Sequence, residues 1–290
     1  MAVLFAFPRN EGLAKTLLET GCFDRGDFTL HHFPDGETLI RIDSNVSGRD
    51  VVVLCTLDRP DEKGMALAFF AETARELGAK SVKLMAPYLG YMRQDKKFHE
   101  GEALTSRIFA AFLSRHFDGL TTIDPHLHRY GKMDEIYTIP VVVVHVAEAM
   151  AVWIKENVET PLLIGPDEES AQWVAEIAGR AGVPCTVLTK TRHSDTNVEI
   201  SIPDIGVYTT HTPVLVDDII STARTMMATV RHLQAARLKP PVCMGIHAVF
   251  ANTAWQDLRD CGVKEIVTCN TILHPTNRID IASLLVNVPM

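Results

Sequence analysis

Several signals that would assign this chain to a membrane, secreted or nucleic-acid-binding class are missing. Neither the first residues nor any later stretch supplies a signal peptide or an uninterrupted apolar span of membrane length. The six cysteines contain no CxxC pair, which favours reduced thiols over disulfides or a zinc knuckle. There is no long basic run, and the formal net charge is −8, so an electrostatic footprint for nucleic acid is absent. We therefore expect a cytoplasmic protein with small-molecule partners, no nucleic acid and no membrane.

The order of apolar segments indicates an α/β protein. Strand-like runs alternate with amphipathic helical runs; residues 51–54, for example, precede a helical pattern over 65–77, and Gly78 and Gly182 are expected to stop helices. The two halves of the 290 residues resemble weak copies of one fold, with a boundary near residues 140–147. No Gly/Ser linker separates them, so we expect two tightly docked domains.

The stretch 214–225 carries the strongest chemical signal. An apolar run, typical of a buried parallel strand, continues into Asp217, Asp218 and a short hydroxyl-rich turn, after which a helical pattern follows through Met226, Val230 and Leu233. Unpaired N–H groups at a helix start can hold a phosphate, and the two carboxylates can accept hydrogen bonds from neighbouring sugar hydroxyls. Simple capping of the helix by the aspartates is the alternative interpretation.

Residues 217–225 resemble the ribose-5-phosphate-binding loop that phosphoribosyltransferases share with ribose-phosphate pyrophosphokinases. Further segments resemble the second family, in family order: FPDGE (33–37), PYLGYMRQD (87–95), DPH (124–126), GPD (165–167) and KTR (190–192). The resemblance covers nearly the whole chain and is to the compact, archaeal-like type. It implies two docked phosphoribosyltransferase-like domains, each with a mostly parallel sheet flanked by helices. Residues 1–145 would carry the ATP loops, 146–275 the ribose 5-phosphate loop, and 276–290 would pack on the first domain.

The resemblance also implies an activity and a set of site residues. The reaction would be Mg²⁺-dependent transfer of the pyrophosphoryl group of ATP to ribose 5-phosphate, giving phosphoribosyl pyrophosphate and AMP for nucleotide biosynthesis. The implied catalytic residues are Lys190, Arg192 and His126, with His126 and Asp167 at the metal. The implied ATP-binding residues are Phe33, Asp35, Gly36, Glu37, Arg93, Gln94 and Asp95. The implied ribose 5-phosphate-binding residues are Arg192, Asp217, Asp218, Ser221, Thr222, Ala223, Arg224 and Thr225.

Residue chemistry supports parts of this assignment. Lys190 and Arg192 alternate on an extended segment, where a cation and a planar fork of donors could meet phosphate charge, and the polar run 193–197 suits a closing flap. Phe33 could stack on adenine, although an ordinary Asp-Gly hairpin turn is the alternative for its loop. In the resembled family this loop completes the ATP site of a neighbouring subunit, which implies a homodimer or a higher homo-oligomer.

The chain departs from the family pattern at several positions. The family loop commonly reads DDxxDTGGT, whereas Ser221 stands here for the third aspartate and Ala223 and Arg224 for the two glycines. A lost glycine matters because a Cβ atom obstructs close backbone approach to phosphate. Carboxylates at 168 and 169 and lysines at 96 and 97 also differ from the usual residues. These changes argue against carrying over to this chain the classical activation by phosphate and inhibition by ADP of the resembled family.

Four alternative functions remain from the sequence. The histidines at 126 and 128 could ligate Zn²⁺ in a hydrolase, although no HExxH or comparable signature accompanies them. The altered ribose 5-phosphate loop suggests a non-catalytic regulatory homologue. The loop itself is shared with phosphoribosyltransferases and so also permits that activity. Arg224 could reshape the loop for a kinase that acts on another sugar phosphate.

Overall fold

The computed structural model of the protein describes residues 1–166, 170–192, 198–201 and 205–288, and gives only the backbone of 189–192, 198–201, 205 and 206. The chain forms two compact units. Unit 1 comprises Met1–Val144 and Ala282–Met290, and unit 2 comprises His145–Ile281. Within the described residues, no helix is both long and apolar enough to cross a membrane.

Unit 1 contains a six-stranded parallel sheet with the strand order β2-β1-β5-β6-β7-β8. Its elements, in chain order, are β1 (Ala2–Ala6), α1 (Glu11–Glu19), β2 (Phe23–Arg25), β3 (Phe28–His32), β4 (Thr38–Ile42), β5 (Asp50–Leu54), α2 (Asp61–Glu76), β6 (Ser81–Ala86), α3 (Thr105–His116), β7 (Gly119–Ile123) and β8 (Val141–Val144). All five residues of β7 are buried, as expected for a parallel strand with both faces covered.

Unit 2 contains a second six-stranded parallel sheet, with the order β10-β9-β13-β14-β15-β16. Its elements are α4 (Ala147–Asn157), β9 (Pro161–Gly165), α5 (Ala171–Ala181), β10 (Cys185–Val187), β11 (Thr189–Arg192), β12 (Val198–Ser201), β13 (Thr212–Ile220), α6 (Arg224–Ala235), β14 (Val242–Ala248), α7 (Ala254–Asp260), β15 (Glu265–Cys269) and β16 (Asn277–Ile279). The last helix, α8 (Ala282–Val286), belongs to unit 1.

The two units share one topology. When strands are counted from the first of each unit, both sheets have the same order, and in both an antiparallel hairpin follows the second strand: β3–β4 in unit 1 and β11–β12 in unit 2. This confirms the expectation that the halves are copies of one fold. The functional loops of both units are therefore expected at the carboxyl ends of their parallel strands.

Each unit contains one helix that, along the chain, directly follows the last strand of the other unit. Helix α4 follows β8 of unit 1 along the chain, yet it belongs to unit 2 and packs against α5. Helix α8 follows β16 of unit 2, belongs to unit 1 and packs against α1. Ile154 in α4 and Leu285 in α8 are buried.

Local sequence signals explain several helix ends. Gly182 adopts a left-handed backbone (φ 69°) directly after α5, and Gly78 does the same (φ 87°) shortly after α2, so both glycines stop helices as expected. Helix α2 begins at Asp61 rather than near residue 65, because Pro60 and the acidic residues of the first turn favour an earlier start.

Candidate functional site

In unit 1, loop 87–104 follows β6 and the loop that begins at Asp124 follows β7. These strands are parallel neighbours, so the RQD and DPH motifs start from the same edge of the sheet. Gly90 allows the first loop to lie against the segment after β5: a Cβ atom there would be 2.7 Å from the Leu57 carbonyl oxygen. The Leu57 N–H in turn donates to the Tyr88 carbonyl at 2.8 Å. The loop that carries the RQD motif is thereby fixed at its base.

The three RQD side chains have different surroundings. Arg93 is exposed, as a ligand-binding cation would be. Gln94 accepts a hydrogen bond from the Thr105 hydroxyl at 2.8 Å, which ties it to the start of α3. Asp95 has a side chain only 2% exposed and accepts a hydrogen bond from Arg129 at 2.9 Å. The sequence analysis placed Asp95 among the ATP ligands, and that assignment stays a prediction.

The FPDGE segment is the tip of the β3–β4 hairpin. The Phe33 N–H donates to the Glu37 carbonyl at 2.8 Å, and the Glu37 N–H donates to Asp35 Oδ1 at 3.1 Å. Gly36 has φ 90°, a left-handed backbone that glycine adopts without strain. Phe33 is 41% exposed and meets His31 edge to face at 4.8 Å. The loop is thus a true Asp-Gly hairpin tip, and its aromatic ring is accessible to a ligand or to a second copy of the chain.

The DPH motif begins with a strained residue. Asp124, directly after β7, has φ 31°. Its N–H donates to the carbonyl of Val144, the last residue of β8, at 3.1 Å. Such conformations cost about 1–3 kcal/mol and cluster at functional sites. His126 follows, half-buried, with its ring parallel to that of His128 at 5.8 Å.

His126 and His128 are the two histidines of the zinc alternative. Among the residues that the structure describes, no group of three or more histidine, cysteine, aspartate or glutamate side chains could hold a metal ion.

The six cysteines are free thiols, as the sequence indicated. Burial raises the pKa of Cys55 to about 12, so this thiol stays protonated and unreactive at neutral pH.

In unit 2, the two aspartates of the ribose 5-phosphate loop lie inside a strand. Strand β13 continues through Asp217 and Asp218 to Ile220, where Ile219 and Ile220 still pair with β14. The sequence analysis placed a hydroxyl-rich turn after these aspartates, and the pairing of Ile219 and Ile220 with β14 puts the start of that turn at Ser221. Both aspartates are half-buried, and Asp217 Oδ1 accepts the Asp218 N–H at 2.9 Å.

The turn from β13 to α6 contains no glycine. The Ser221 carbonyl accepts the Ala251 N–H at 3.1 Å, Thr222 is exposed, and Thr225 is half-buried in the first turn of α6. Ala223 adopts a left-handed backbone (φ 54°), which costs a non-glycine residue roughly 1–2 kcal/mol. Its methyl group is buried in the apolar core of unit 2, which offsets part of this cost. Arg224 is exposed, so its side chain is accessible to an anion.

The remaining predicted residues are described only in part. Lys190 and Arg192 lie in β11, which pairs with β12, so the extended segment that the sequence indicated is present. Residues two apart on a strand share one face. Their side chains, the polar run 193–197 and Asp167 lie outside the described residues. Gly165 ends β9 just before Asp167, and a Cβ atom there would be 2.6 Å from the Ser170 hydroxyl.

Sequence reasoning missed the contacts that join the two motif loops of unit 1. Arg129 pairs with Asp95, and the Tyr130 hydroxyl shares a buried hydrogen bond with Ser106 at 2.8 Å. These partners are far apart in the chain, and no local pattern marks either pair. The nearest sequence signal is the arginine itself, which follows the DPH motif closely.

Comparison with known proteins covers both units. The family model for the N-terminal domain of ribose phosphate pyrophosphokinase matches residues 2–116, and that for the phosphoribosyl transferase domain matches residues 132–281. The ribose-phosphate pyrophosphokinase of Methanobrevibacter smithii is 30% identical over 268 residues, covering 88% of this chain and 89% of the relative. That of Saccharolobus solfataricus is 33% identical over 247 residues, covering 83% and 82%.

A solved structure extends the similarity to the whole fold. The crystal structure of phosphoribosylpyrophosphate synthetase from Mycobacterium smegmatis superimposes with a TM-score of 0.86 at 25% identity. The alignment covers 99% of this chain and 97% of that one. Both units, and not the transferase-like unit alone, are therefore shared with that protein.

Gly90→Ala should destabilise the protein by about 1–3 kcal/mol, because the new methyl group meets the Leu57 carbonyl oxygen and forces the loop of the RQD motif outward. Urea unfolding measures the change. Gly64→Ala in α2 is the control: its methyl group would lie 3.8 Å from Phe112, an ordinary contact, and alanine in a helix is favoured over glycine by about 1 kcal/mol. Equal stability of the two variants would contradict the tight packing at Gly90.

Proposed function

Since the chain belongs to the ribose-phosphate pyrophosphokinase family, we propose that it transfers the pyrophosphoryl group of ATP to the anomeric hydroxyl of ribose 5-phosphate, giving phosphoribosyl pyrophosphate and AMP. One observation carries this conclusion: one chain holds both the pyrophosphokinase unit and the phosphoribosyl transferase unit over nearly its full length. A phosphoribosyltransferase would need only the second. A regulatory homologue would not need Lys190 and His126, which this chain retains.

The chemistry requires orientation and charge neutralisation more than covalent help. The anomeric oxygen attacks the β-phosphorus in line, a new O–P bond forms, the bond between the β-phosphorus and the oxygen bridging to the α-phosphate breaks, and AMP leaves. The proton of the anomeric hydroxyl passes to solvent or to a nearby base. Positioned cations and donors lower the barrier because negative charge moves from the attacking to the leaving oxygen.

For unit 2 we propose that Asp217 and Asp218 accept the vicinal ribose hydroxyls. The start of α6 then receives the 5-phosphate, where free N–H groups and the helix dipole favour an anion. The proposed ribose 5-phosphate contacts are Arg192, Asp217, Asp218, Ser221, Thr222, Ala223, Arg224 and Thr225. Lys190 and Arg192, on one face of β11, would supply the charge that the transition state needs. Residues 146–275 would thus form the ribose 5-phosphate domain.

For unit 1 we propose that residues 1–145 bind ATP. Phe33 would stack on the adenine ring, while Asp35 Oδ2 and the Glu37 carboxylate would accept from the nucleoside; Asp35 Oδ1 is already used by the hairpin. Arg93 would contact phosphate, Gly36 would let the loop approach closely, and Gln94 would orient the motif through its bond to Thr105. His126 would meet the phosphate oxygens from the strained turn after β7.

Mg²⁺ fits the donors of this chain. Mg²⁺ takes one or two carboxylates and otherwise keeps water and substrate phosphates. We propose Asp167 as a carboxylate ligand and His126 as a ligand acting through water, because imidazole is a poor direct partner for so hard a cation. When bound, the ion would neutralise phosphate charge.

The reaction assignment is tested by phosphorus NMR of purified protein with ATP, Mg²⁺ and ribose 5-phosphate. We expect AMP together with a sugar-linked pyrophosphate, because the bond that breaks lies between the α- and β-phosphates. Formation of ADP with a sugar bisphosphate would show simple phosphoryl transfer instead. Absence of turnover with intact ligand binding would favour the regulatory homologue.

Lys190→Ala should lower kcat by about 10²–10³ or more with little change in thermal stability, because it removes one oriented cation from the transition state. Steady-state kinetics and thermal unfolding measure the two effects. Lys15→Ala is the matched control, since Lys15 lies on α1 and is 79% exposed. Near-normal turnover of the Lys190 variant would remove this residue from the proposed chemistry.

We further propose a homodimer, or a higher homo-oligomer, in which the exposed hairpin tip completes the ATP site of a neighbouring subunit. Co-expression of a Phe33→Ala/Glu37→Ala chain with a Lys190→Ala chain tests this arrangement. In a two-fold dimer, mixed assembly regenerates one intact site per hybrid, so about a quarter of wild-type activity should return. If the mixture is no more active than the separate variants, the hairpin tip serves its own subunit.

A further inference from the structure

The pair formed by Asp95 and Arg129 joins the two motif loops of unit 1. Arg129 Nη1 donates to Asp95 Oδ1 at 2.9 Å, across 34 positions of sequence. Asp95 ends the RQD motif after β6, and Arg129 lies shortly beyond the DPH motif after β7. The pair therefore couples the loop expected to bind ATP to the loop that carries His126.

The two partners differ greatly in exposure. The Asp95 side chain is 2% exposed, whereas the Arg129 side chain is 40% exposed. Within the described residues, the second carboxylate oxygen of Asp95 is buried and receives no hydrogen bond. Burying a carboxylate without a paired cation costs free energy. The ion pair between the buried Asp95 and Arg129 is therefore held more strongly than a pair in which the carboxylate is exposed. The buried member thus fixes the exposed member.

Arg129 retains donors for a ligand. A guanidinium carries five N–H groups in a planar fork, and the bond to Asp95 uses one of them. Planar forks of this kind bind phosphate oxygens with good geometry, especially when one edge is already oriented. The exposed edge of Arg129 lies on the loop that leaves the carboxyl end of β7, where anions bind in parallel sheets.

The residue after Arg129 holds the backbone in place. The Tyr130 ring is buried in the core of unit 1, its hydroxyl pairs with Ser106 at 2.8 Å, and the Arg107 guanidinium lies 5.9 Å from its centre. Ser106 is itself tied to the RQD motif, since its N–H donates to the Gln94 carbonyl at 3.4 Å. Arg129 is thus anchored both through its own side chain and through its neighbour.

We propose that Arg129 is a further phosphate-binding residue of the nucleotide site, and that Asp95 is the positioning residue that orients it. The ligand class is the polyphosphate chain of a nucleoside triphosphate. The assignment rests on the proposed function, because it takes the carboxyl edge of unit 1 as the ATP side of the reaction. It also gives the aspartate of the RQD motif a role that its burial permits.

The test compares Arg129→Ala with wild type in calorimetric binding of ATP and of AMP, both with Mg²⁺, and in steady-state kinetics. Loss of a charge-assisted hydrogen bond to phosphate should weaken ATP binding by about 10- to 100-fold. AMP, which has no β- or γ-phosphate, should lose less, and the KM for ribose 5-phosphate should not change. Arg129→Lys should recover part of the ATP affinity, since it restores the charge without the fork.

Arg25→Ala is the matched control. Arg25, the last residue of β2, also pairs with an aspartate at 2.9 Å, but both it and its partner Asp27 are exposed and precede the motif loops in the chain. The Arg25→Ala variant should bind ATP with the same affinity as the wild-type protein. For Asp95, the double variant Asp95→Asn/Arg129→Ala should bind ATP no more weakly than Arg129→Ala alone, because a positioning residue acts only through its partner.

The outcomes separate the two levels of inference. A lower melting temperature for Arg129→Ala with an unchanged ratio of ATP to AMP affinity would overturn the phosphate contact and leave a structural role. Wild-type protein that binds ATP but forms no AMP would overturn the proposed reaction, while the binding comparison would still decide the role of Arg129. Wild-type protein that binds no ATP would overturn both.

Discussion

Burial of both faces of a parallel sheet is the constraint on which the rest of this structure depends. In β7 and β14, for example, every residue is buried, so neither face of these strands can present a ligand-binding group. Chemistry is consequently concentrated at the carboxyl ends of the strands and in the loops that leave them. The RQD and DPH motifs of unit 1 and the ribose 5-phosphate loop of unit 2 all occupy such positions.

The repeated topology shows how one architecture supports two binding tasks. The loop from β13 to α6 corresponds to the loop from β5 to α2, and each places one left-handed residue just before its helix: Ala223 with φ 54° and Arg59 with φ 53°. Only unit 2, however, places two carboxylates on the preceding strand. The reciprocal packing of α4 and α8 adds a constraint of its own, because each unit relies on a helix that follows the other unit's last strand.

The departures from the family pattern are absorbed locally. Ala223 takes the conformation that a glycine would adopt more cheaply, and its buried methyl group returns part of the cost. Arg224 remains exposed at the first turn of α6, where its charge is compatible with an anionic substrate. In the RQD motif, the arginine is exposed, while the glutamine and aspartate side chains form hydrogen bonds with Thr105 and Arg129.

The amino-acid sequence by itself determined the α/β class, the duplicated halves, the helix stops at Gly78 and Gly182 and the order of the motifs. These features depend on apolar periodicity and backbone preference, which are properties of neighbouring residues. Only the tertiary structure decided that Asp217 and Asp218 lie within β13, that Asp95 is buried against Arg129, and that α4 and α8 are exchanged. Each of these results from contacts between residues distant in the chain, and such contacts leave no periodic trace in the sequence.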